Sequence, residues 1–186
     1  MREPKSRPAT YADIEALPPH VVGEILFGSL YTHPRPAPRH ANSIHQVQLE
    51  LGNPFQRGRG GPGGWVFLPE AELHLGPHVI VPDISGWRQE RLPVIPKTAF
   101  IETAPDWVCE VLSPSTARLD RTDKLSIYAA FRVGHAWYVD PTARTLEVFA
   151  LEDKKWVIAA TFKDDDAVAA PPFEAHTFSL AALWAE

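Results

Sequence analysis

The sequence predicts a mixed α/β (α+β) fold, in which helices pack against a central sheet. Short apolar runs typical of strands alternate with stretches of helical periodicity, and residues 107–140 read as a strand–helix–strand unit. The 186 residues, of which 45% are hydrophobic and 22% charged, fit one globular domain with a sizeable core. We therefore expect a flexible tail over residues 1–9 and a single domain over residues 10–186.

The first half of the chain should contain two helices and several short strands. Thr10 can cap a helix that Pro18 ends, with Asp13 favourable in its first turn. A second helix should precede the glycine-rich, basic loop QRGRGGPGG at 56–64. The predicted helices are 11–17 and 41–55, and the predicted strands are two over 21–31 joined at Phe27-Gly28, then 65–68, 71–75 and 78–87.

The second half is dominated by the strand–helix–strand unit. The apolar run 107–112 predicts a buried strand, and Ser115 and Gly134 can cap the two ends of the following helix. Residues 89–101 should be a connection with weak helical content. The remaining predicted elements are a helix over 116–131, strands over 136–140, 146–151 and 156–162, and a short closing helix over 180–184.

Composition and charge exclude several classes of protein. No apolar run approaches the roughly 20 residues of a membrane-spanning helix, and the charged N-terminus lacks the apolar stretch of a secretory signal. Cys109 is the one cysteine, which excludes an internal disulfide or a cysteine-based zinc site and suits a reducing cytoplasm. The net charge of −5 argues against a module that only coats nucleic acid, but it is compatible with a nuclease.

The most informative feature is a set of three acidic residues inside apolar segments. Glu24 lies in VVGEIL, Asp83 in VIVPDI and Glu110 in WVCEVL. A buried carboxylate is costly unless a cation compensates it. One such residue could form an ordinary salt bridge, but three of them in three predicted strands suggest a shared cation.

Lys124 is the basic residue that could meet these acids. It shares a helix face with Ile127, Tyr128 and Phe131, the apolar stripe that should pack on the sheet. A lysine there either extends along its stem to solvent or meets a buried carboxylate. Carboxylates and a lysine together can bind Mg2+ or Mn2+, activate a water and stabilise charge on a phosphoryl group.

The run PDWVCEVLSPSTARLDRTDKLSIYAAFRVGHAWYVDP, residues 105–141, resembles the signature of the Uma-type endonucleases. This bacterial family belongs to the restriction-endonuclease-like, PD-(D/E)xK superfamily. The segments TYADIEALP, GEILFGSL, VPDISGW, TLEVFAL and FSLAALW resemble the family's opening helix, first hairpin, second acidic strand, and C-terminal strands and helix. The resemblance spans about residues 10–184 and implies a restriction-endonuclease-like mixed central sheet flanked by helices.

The resemblance also implies roles for single residues. Asp83 would be the aspartate of the PD element and Glu110 the second acid, with Glu24 from the N-terminal hairpin assisting as a further metal ligand. The usual lysine of the superfamily lies two residues after that acid, where this chain has Leu112, so Lys124 is the expected substitute as catalytic base or electrostatic helper. The chain is therefore expected to be a Mg2+- or Mn2+-dependent endonuclease that hydrolyses phosphodiester bonds, with DNA as its substrate.

Asp106 forms a second Pro-Asp pair, four residues before Glu110. Four residues of a strand span about 13 Å, so these two acids cannot easily share one small ion. Asp106 is therefore expected at the mouth of the strand or in a loop cap.

Three further residues are auxiliary candidates. The family often has a histidine where His40 begins the second helix, although a surface position at the helix start explains it equally well. Arg57 and Arg59 in the glycine-rich loop could contact phosphates, although a solvated loop is the simpler interpretation. Many proteins of the superfamily cut duplexes as dimers, which allows a homodimer.

Two other functions fit the same residues. A nucleic-acid or protein-interaction domain could have kept the fold and lost its chemistry, which the leucine at position 112 favours. A metal-dependent hydrolase of small phosphoesters is the second, favoured by the acidic net charge. Carboxylate-dependent metal binding would argue against the first alternative, and a preference for plasmid over a nucleotide monoester would argue against the second.

Overall fold

The computed structural model describes residues 7–34 and 37–184, so residues 1–6 of the predicted tail lie outside the described residues. The helical segments are α1 (Tyr11–Glu15), α2 (Pro38–Leu51), a π-helical turn (Gly52–Gln56), α3 (Ala117–Leu119), a second π-helical turn (Asp120–Lys124), α4 (Leu125–Ala130) and a closing 3-10 helix (Leu180–Trp184). The strands are β1 (Val21–Leu26), β2 (Ser29–Pro34), β3 (Trp65–Pro69), β4 (Leu73–Leu75), β5 (His78–Ile80), β6 (Ile84–Arg88), β7 (Trp107–Val111), β8 (His135–Asp140), β9 (Thr145–Glu152), β10 (Lys155–Lys163), β11 (Ala167–Val168) and β12 (Phe178–Ser179).

The largest sheet is mixed and has the strand order β10-β9-β8-β7-β6-β3. Strands β7 and β8 run parallel, and the helical segments between them form the crossover that a parallel pair needs, while their outer neighbours β6 and β9 are antiparallel to them. A smaller sheet has the order β2-β1-β5-β4, and β11 pairs with β12. The predicted mixed sheet with flanking helices is confirmed.

Strand β7 is buried on both faces, as its apolar sequence predicts. Trp107, Cys109 and Val111 belong to the hydrophobic core that packs against α2, whereas Val108 belongs to the core that packs against α4. Side chains alternate along a strand, so Glu110 lies on the same face as Val108. The strand therefore directs Glu110 towards the helix that follows it.

The predicted strand 78–87 is wrong as a single element. It is two strands, β5 and β6, which belong to different sheets. Pro82 lies in the break, where it has no N–H to donate to a neighbouring strand. Asp83 therefore lies at the junction of the two sheets rather than inside a strand.

The helices also differ from their predicted forms. The helix predicted over 41–55 begins at Pro38 and ends in a π-helical turn that contains Pro54, a residue unable to donate an α-helical hydrogen bond. The helix predicted over 116–131 is interrupted by the turn Asp120–Lys124. Residues 89–101, all of them described, form no helix: turns and bends lead to Ile101, which forms an isolated parallel bridge with Leu73. Within residues 7–34 and 37–184, no helix combines the length and apolar character needed to cross a bilayer.

Candidate active site

A cavity of about 310 Å3 lies at the C-terminal end of β7, next to the junction of the two sheets. Four of the sequence-predicted residues line it: His40, Asp83, Glu110 and Lys124. Glu24 does not line the cavity, but it contacts Lys124. The fold thus brings together acids that are distant in sequence, in a space open to a ligand.

Lys124 lies at the centre of a buried group of carboxylates. Its Nζ atom is 3.1 Å from Glu24 Oε1, 3.2 Å from Glu110 Oε1 and 3.2 Å from Asp120 Oδ1. Lys124 is only 4% exposed, so its stem does not carry the ammonium group to solvent. The sequence allowed Lys124 either to extend to solvent or to meet a buried carboxylate, and the structure shows the second arrangement.

The π-helical turn brings both Asp120 and Lys124 to this cluster. These residues are four apart in the chain, so they lie on one side of the helix, and both are buried. Single π-helical turns inside α-helices occur frequently at functional sites. Asp120 was not singled out by the sequence, although its position one turn before Lys124 is a signal that could have found it.

Burial and the charge of Lys124 shift the pKa values of the acids in this cluster in opposite directions. Burial alone would lower the pKa of Lys124, but the carboxylates of Glu110, Glu24 and Asp120 outweigh burial and raise this pKa well above its usual value. Burial raises the pKa of Glu110 and of Asp120, despite the nearby ammonium group. A further positive charge beside these acids would favour their ionised forms.

Asp83 is held against β7 and faces the cavity. Its Oδ2 atom accepts a hydrogen bond of 2.7 Å from the Val111 N–H and lies 3.1 Å from His40 Nε2. The Asp83 N–H in turn points to Glu110 Oε2 at 3.4 Å. Asp83, Glu110 and His40 are therefore neighbours, as the sequence predicted for the two acids.

The two oxygens of the Glu110 carboxyl group have different partners. Oε1 accepts hydrogen bonds from Lys124 Nζ and, at 2.5 Å, from the Tyr128 hydroxyl. Oε2 faces Asp83. Tyr128 is fully buried on the same helix face as Lys124, and sequence analysis placed it in the apolar stripe without a role in the site. Its hydrogen bond, like that from Lys124, engages Oε1, whereas Oε2 is the oxygen that the Asp83 backbone N–H approaches.

Glu24 lies between the site and the N-terminal hairpin. Its Oε1 atom accepts a 2.8 Å hydrogen bond from the Val81 N–H, and its Oε2 atom lies 3.5 Å from His33 Nε2, beyond a well-formed hydrogen bond. Burial opposes ionisation of Glu24, but Lys124 and His33 outweigh it and lower the Glu24 pKa. Glu24 contacts Lys124 and does not line the cavity, so its role as a metal ligand stays a prediction.

Asp83 and Glu110 fit a divalent metal that is held by two carboxylates, rather than one that is enclosed by protein ligands alone. Within the described ranges, no group of three or more acidic, histidine or cysteine side chains has an arrangement that could hold a metal. Mg2+ commonly binds through one or two carboxylates and takes its other oxygens from water and substrate phosphates. Two carboxylates that line one cavity have the chemistry of such a site.

Arg57 and Arg59 lie away from this cluster. They follow the π-helical turn after α2, whereas His40 lies in the first turn of α2. At about 1.5 Å per residue, the separation between His40 and Arg57 along the helix is roughly 25 Å. Their contact with phosphates stays a prediction, and it would require a duplex that extends about seven base pairs from the cavity, at about 3.4 Å each.

The fold is similar to that of a crystal structure from Anabaena variabilis ATCC 29413, described as that of "a putative nuclease belonging to DUF820". The two chains are 23% identical, with a TM-score of 0.71, and the alignment covers 95% of this chain and 98% of that one. This similarity concerns the fold. A comparison with curated proteins gave no match. The family model Uma2, described as "Putative restriction endonuclease", matches residues 8–182, and the chain therefore belongs to the Uma2 family.

Proposed function

We propose that the protein is a metal-dependent endonuclease that hydrolyses phosphodiester bonds in DNA, with Mg2+ or Mn2+ as its cofactor. Asp83 and Glu110 would hold the metal. The observation that carries this proposal is that Asp83 and Glu110 line one cavity together with Lys124, with the Asp83 backbone N–H 3.4 Å from Glu110 Oε2. Family membership and fold support the nuclease class.

Each residue of the site has a part in this proposal. The bound metal would polarise a phosphoryl oxygen and lower the pKa of a coordinated water. Asp83 is oriented by the Val111 N–H and by His40, so its carboxylate is preorganised. Lys124, with three carboxylates around its ammonium group, acts as a fixed positive charge near the reacting phosphate rather than as a base. Glu24 and Asp120 hold that ammonium group in place.

Replacement of Tyr128 by phenylalanine is expected to weaken metal binding by about 10- to 100-fold, because the hydroxyl orients a metal ligand from outside the coordination shell. The variant keeps the ring and loses only the hydrogen bond to Glu110 Oε1. Calorimetric titration with Mn2+ measures the affinity, and cleavage at saturating metal should approach that of the wild type.

The matched control is Tyr138→Phe. It removes another buried hydroxyl, which donates to the Asp120 carbonyl oxygen rather than to Glu110. It should cost about 1 kcal/mol of stability with little effect on Mn2+ affinity. Equal metal affinities of the Tyr128 variant and the wild type would contradict the orienting role.

The proposed reaction is tested by incubating the purified protein with supercoiled plasmid, a folded RNA and a nucleotide monoester, each with Mg2+ and with a chelator. We expect metal-dependent nicking or linearisation of the plasmid. Faster turnover of the monoester would instead favour a small-phosphoester hydrolase. Faster cleavage of RNA would make RNA, rather than DNA, the substrate. Absence of all three activities, together with absence of metal binding, would favour an interaction domain.

A homodimer, which would suit cleavage of both strands, stays a prediction.

A further inference from the structure

We propose that a polar groove beside the active-site cavity binds a backbone phosphate of the nucleic acid next to the bond that is cut, with Arg118 as the main contact. This inference rests on the proposed function and adds a substrate-binding surface to it. The groove has a volume of about 540 Å3 and lies between β2 and the helical segments that follow β7. Among the described residues that line it, Leu119 is the one apolar side chain.

The groove and the cavity share a wall. His33, Ser115 and Thr116 line both spaces. A strand with one phosphate in the cavity therefore continues into the groove at these residues. Arg118 follows Thr116 by two positions, or about 3 Å along a helix, and successive phosphates advance about 3.4 Å along a duplex. Arg118 is thus placed for a phosphate that neighbours the one under attack.

Arg118 is a cation without a protein partner in this groove. Elsewhere in the same helical segments, Asp120 contacts Lys124. Arg121 pairs with Glu147. The Arg118 side chain is exposed, and no acidic side chain in the described part of the chain forms an ion pair with it. Its guanidinium group therefore keeps its N–H donors for a ligand, in a planar fork that matches phosphate oxygens.

The opposite wall of the groove supplies a second donor. Thr32 on β2 is exposed, and within residues 7–34 and 37–184 its hydroxyl has no hydrogen-bond partner. Threonine hydroxyls are common contacts of phosphate oxygens in nucleic-acid complexes. A phosphate in the groove can therefore bind the guanidinium group from the helical wall and this hydroxyl from the strand wall.

One acidic residue limits where a phosphate can bind in the groove. Asp123 also lines it, and its carboxylate accepts a hydrogen bond of 3.2 Å from the Tyr31 hydroxyl. Asp123 follows Thr116 by seven positions, or about 10 Å along a helix, so it lies at the end away from the cavity. Its charge repels a phosphate at that end. The end near Arg118 is therefore the phosphate site.

The shared wall is built from fixed parts. The Ser113 hydroxyl oxygen lies 2.9 Å from the Ser115 hydroxyl oxygen and 3.0 Å from that of Thr116. The Thr122 hydroxyl donates to the Arg118 carbonyl oxygen at 2.7 Å, which fixes the backbone that carries the guanidinium group. A preformed site loses little conformational entropy when a ligand binds.

The test is a salt titration of duplex binding by fluorescence anisotropy, performed with a chelator present so that no metal-dependent cleavage occurs. Each phosphate contact contributes about 0.9 to the slope of log affinity against log salt. Arg118→Ala should therefore lower that slope by about 0.9. The loss should be equal for duplexes of unrelated sequence, because a phosphate contact carries no sequence information.

Two further variants separate charge from hydrogen bonding. Arg118→Lys keeps the charge and should retain most of the slope. Thr32→Val removes an uncharged hydroxyl, so it should weaken binding about 2- to 10-fold while the slope stays at the wild-type value.

Arg132→Ala is the matched charge control. Arg132 is also exposed, but it precedes β8, at the end of the parallel strands opposite the cavity. The length of β8 puts roughly 17 Å between that end and the cavity, so the slope should not change. A wild-type slope for Arg118→Ala, or an equal loss for Arg132→Ala, overturns the proposed contact. A wild-type chain that binds no duplex at low salt also refutes it.

Cleavage kinetics give a second readout of the same contact. Arg118→Ala should raise KM about tenfold at an unchanged kcat, because a contact with a neighbouring phosphate is the same in the bound substrate and in the transition state. A fall in kcat at an unchanged KM would place Arg118 at the reacting phosphate and overturn the neighbouring position. Duplex binding with the expected slopes but no cleavage of any nucleic acid refutes the nuclease and keeps the groove.

Discussion

Asp83→Asn is expected to abolish metal-dependent cleavage while the protein stays folded. Asparagine keeps the size of the side chain and can still accept the Val111 N–H bond, but it removes the charge that would bind the metal. Loss of metal activation worth several kcal/mol corresponds to a fall in kcat/KM of about a thousandfold or more, at about 1.4 kcal/mol for each factor of ten. The side chain is partly exposed, so we expect a change in unfolding free energy below about 1 kcal/mol.

Asp106→Asn is the matched control, because Asp106 also follows a proline. Its carboxylate caps a turn by accepting the Arg88 N–H and pairs with Arg91, and it does not line the cavity. Cleavage by this variant should remain near the wild-type rate. If Asp83→Asn cleaves plasmid as fast as Asp106→Asn does, the assignment of Asp83 to the metal is wrong.

Lys124→Met is expected to destabilise the protein by about 3–5 kcal/mol, the usual result of removing one partner from a buried ion-pair network. Methionine fills a similar volume, but it leaves the carboxyl groups of Glu24, Glu110 and Asp120 facing each other without a cation. Urea unfolding measures the loss. Lys155→Met, at an exposed position, should change stability by less than about 0.5 kcal/mol.

A second substitution separates the structural role of Lys124 from its role in cleavage. In Lys124→Met/Glu24→Gln, one of the facing charges is removed, so part of the lost stability should return. Cleavage should stay absent at temperatures where circular dichroism shows the variant to be folded, because the positive charge beside the phosphate is still missing. Recovery of cleavage together with stability would mean that Lys124 serves only the fold.

The contact between Glu110 and Lys124 was predictable because a charged residue inside an apolar pattern is visible in a single sequence. Glu110 lies in a short apolar run that predicts a buried strand, and Lys124 follows on the apolar face of the next helix. Their meeting follows from the short connection between the two elements. The strand–helix–strand unit predicted a sheet with helices packed against it, and the resemblance to the Uma-type family implied that this sheet is mixed.

Other parts of the site depend on geometry that periodicity does not encode. The break at Pro82 places Asp83 at the junction of two sheets, whereas the apolar run around it favoured one continuous strand. The π-helical turn that buries Asp120 has no proline or glycine to mark it. The hydroxyl of Tyr128 was hidden because a tyrosine on an apolar helix face is more often a core residue.

The most direct test of the metal site is a crystal structure of the protein soaked in Mn2+, with anomalous scattering used to locate the ion. We expect a peak in the cavity, with carboxylate oxygens of Asp83 and Glu110 at about 2 Å, and no such peak in crystals of Asp83→Asn. A peak bound elsewhere, or a cavity without an ion in a preparation that cleaves DNA with Mn2+, would contradict the proposed metal site.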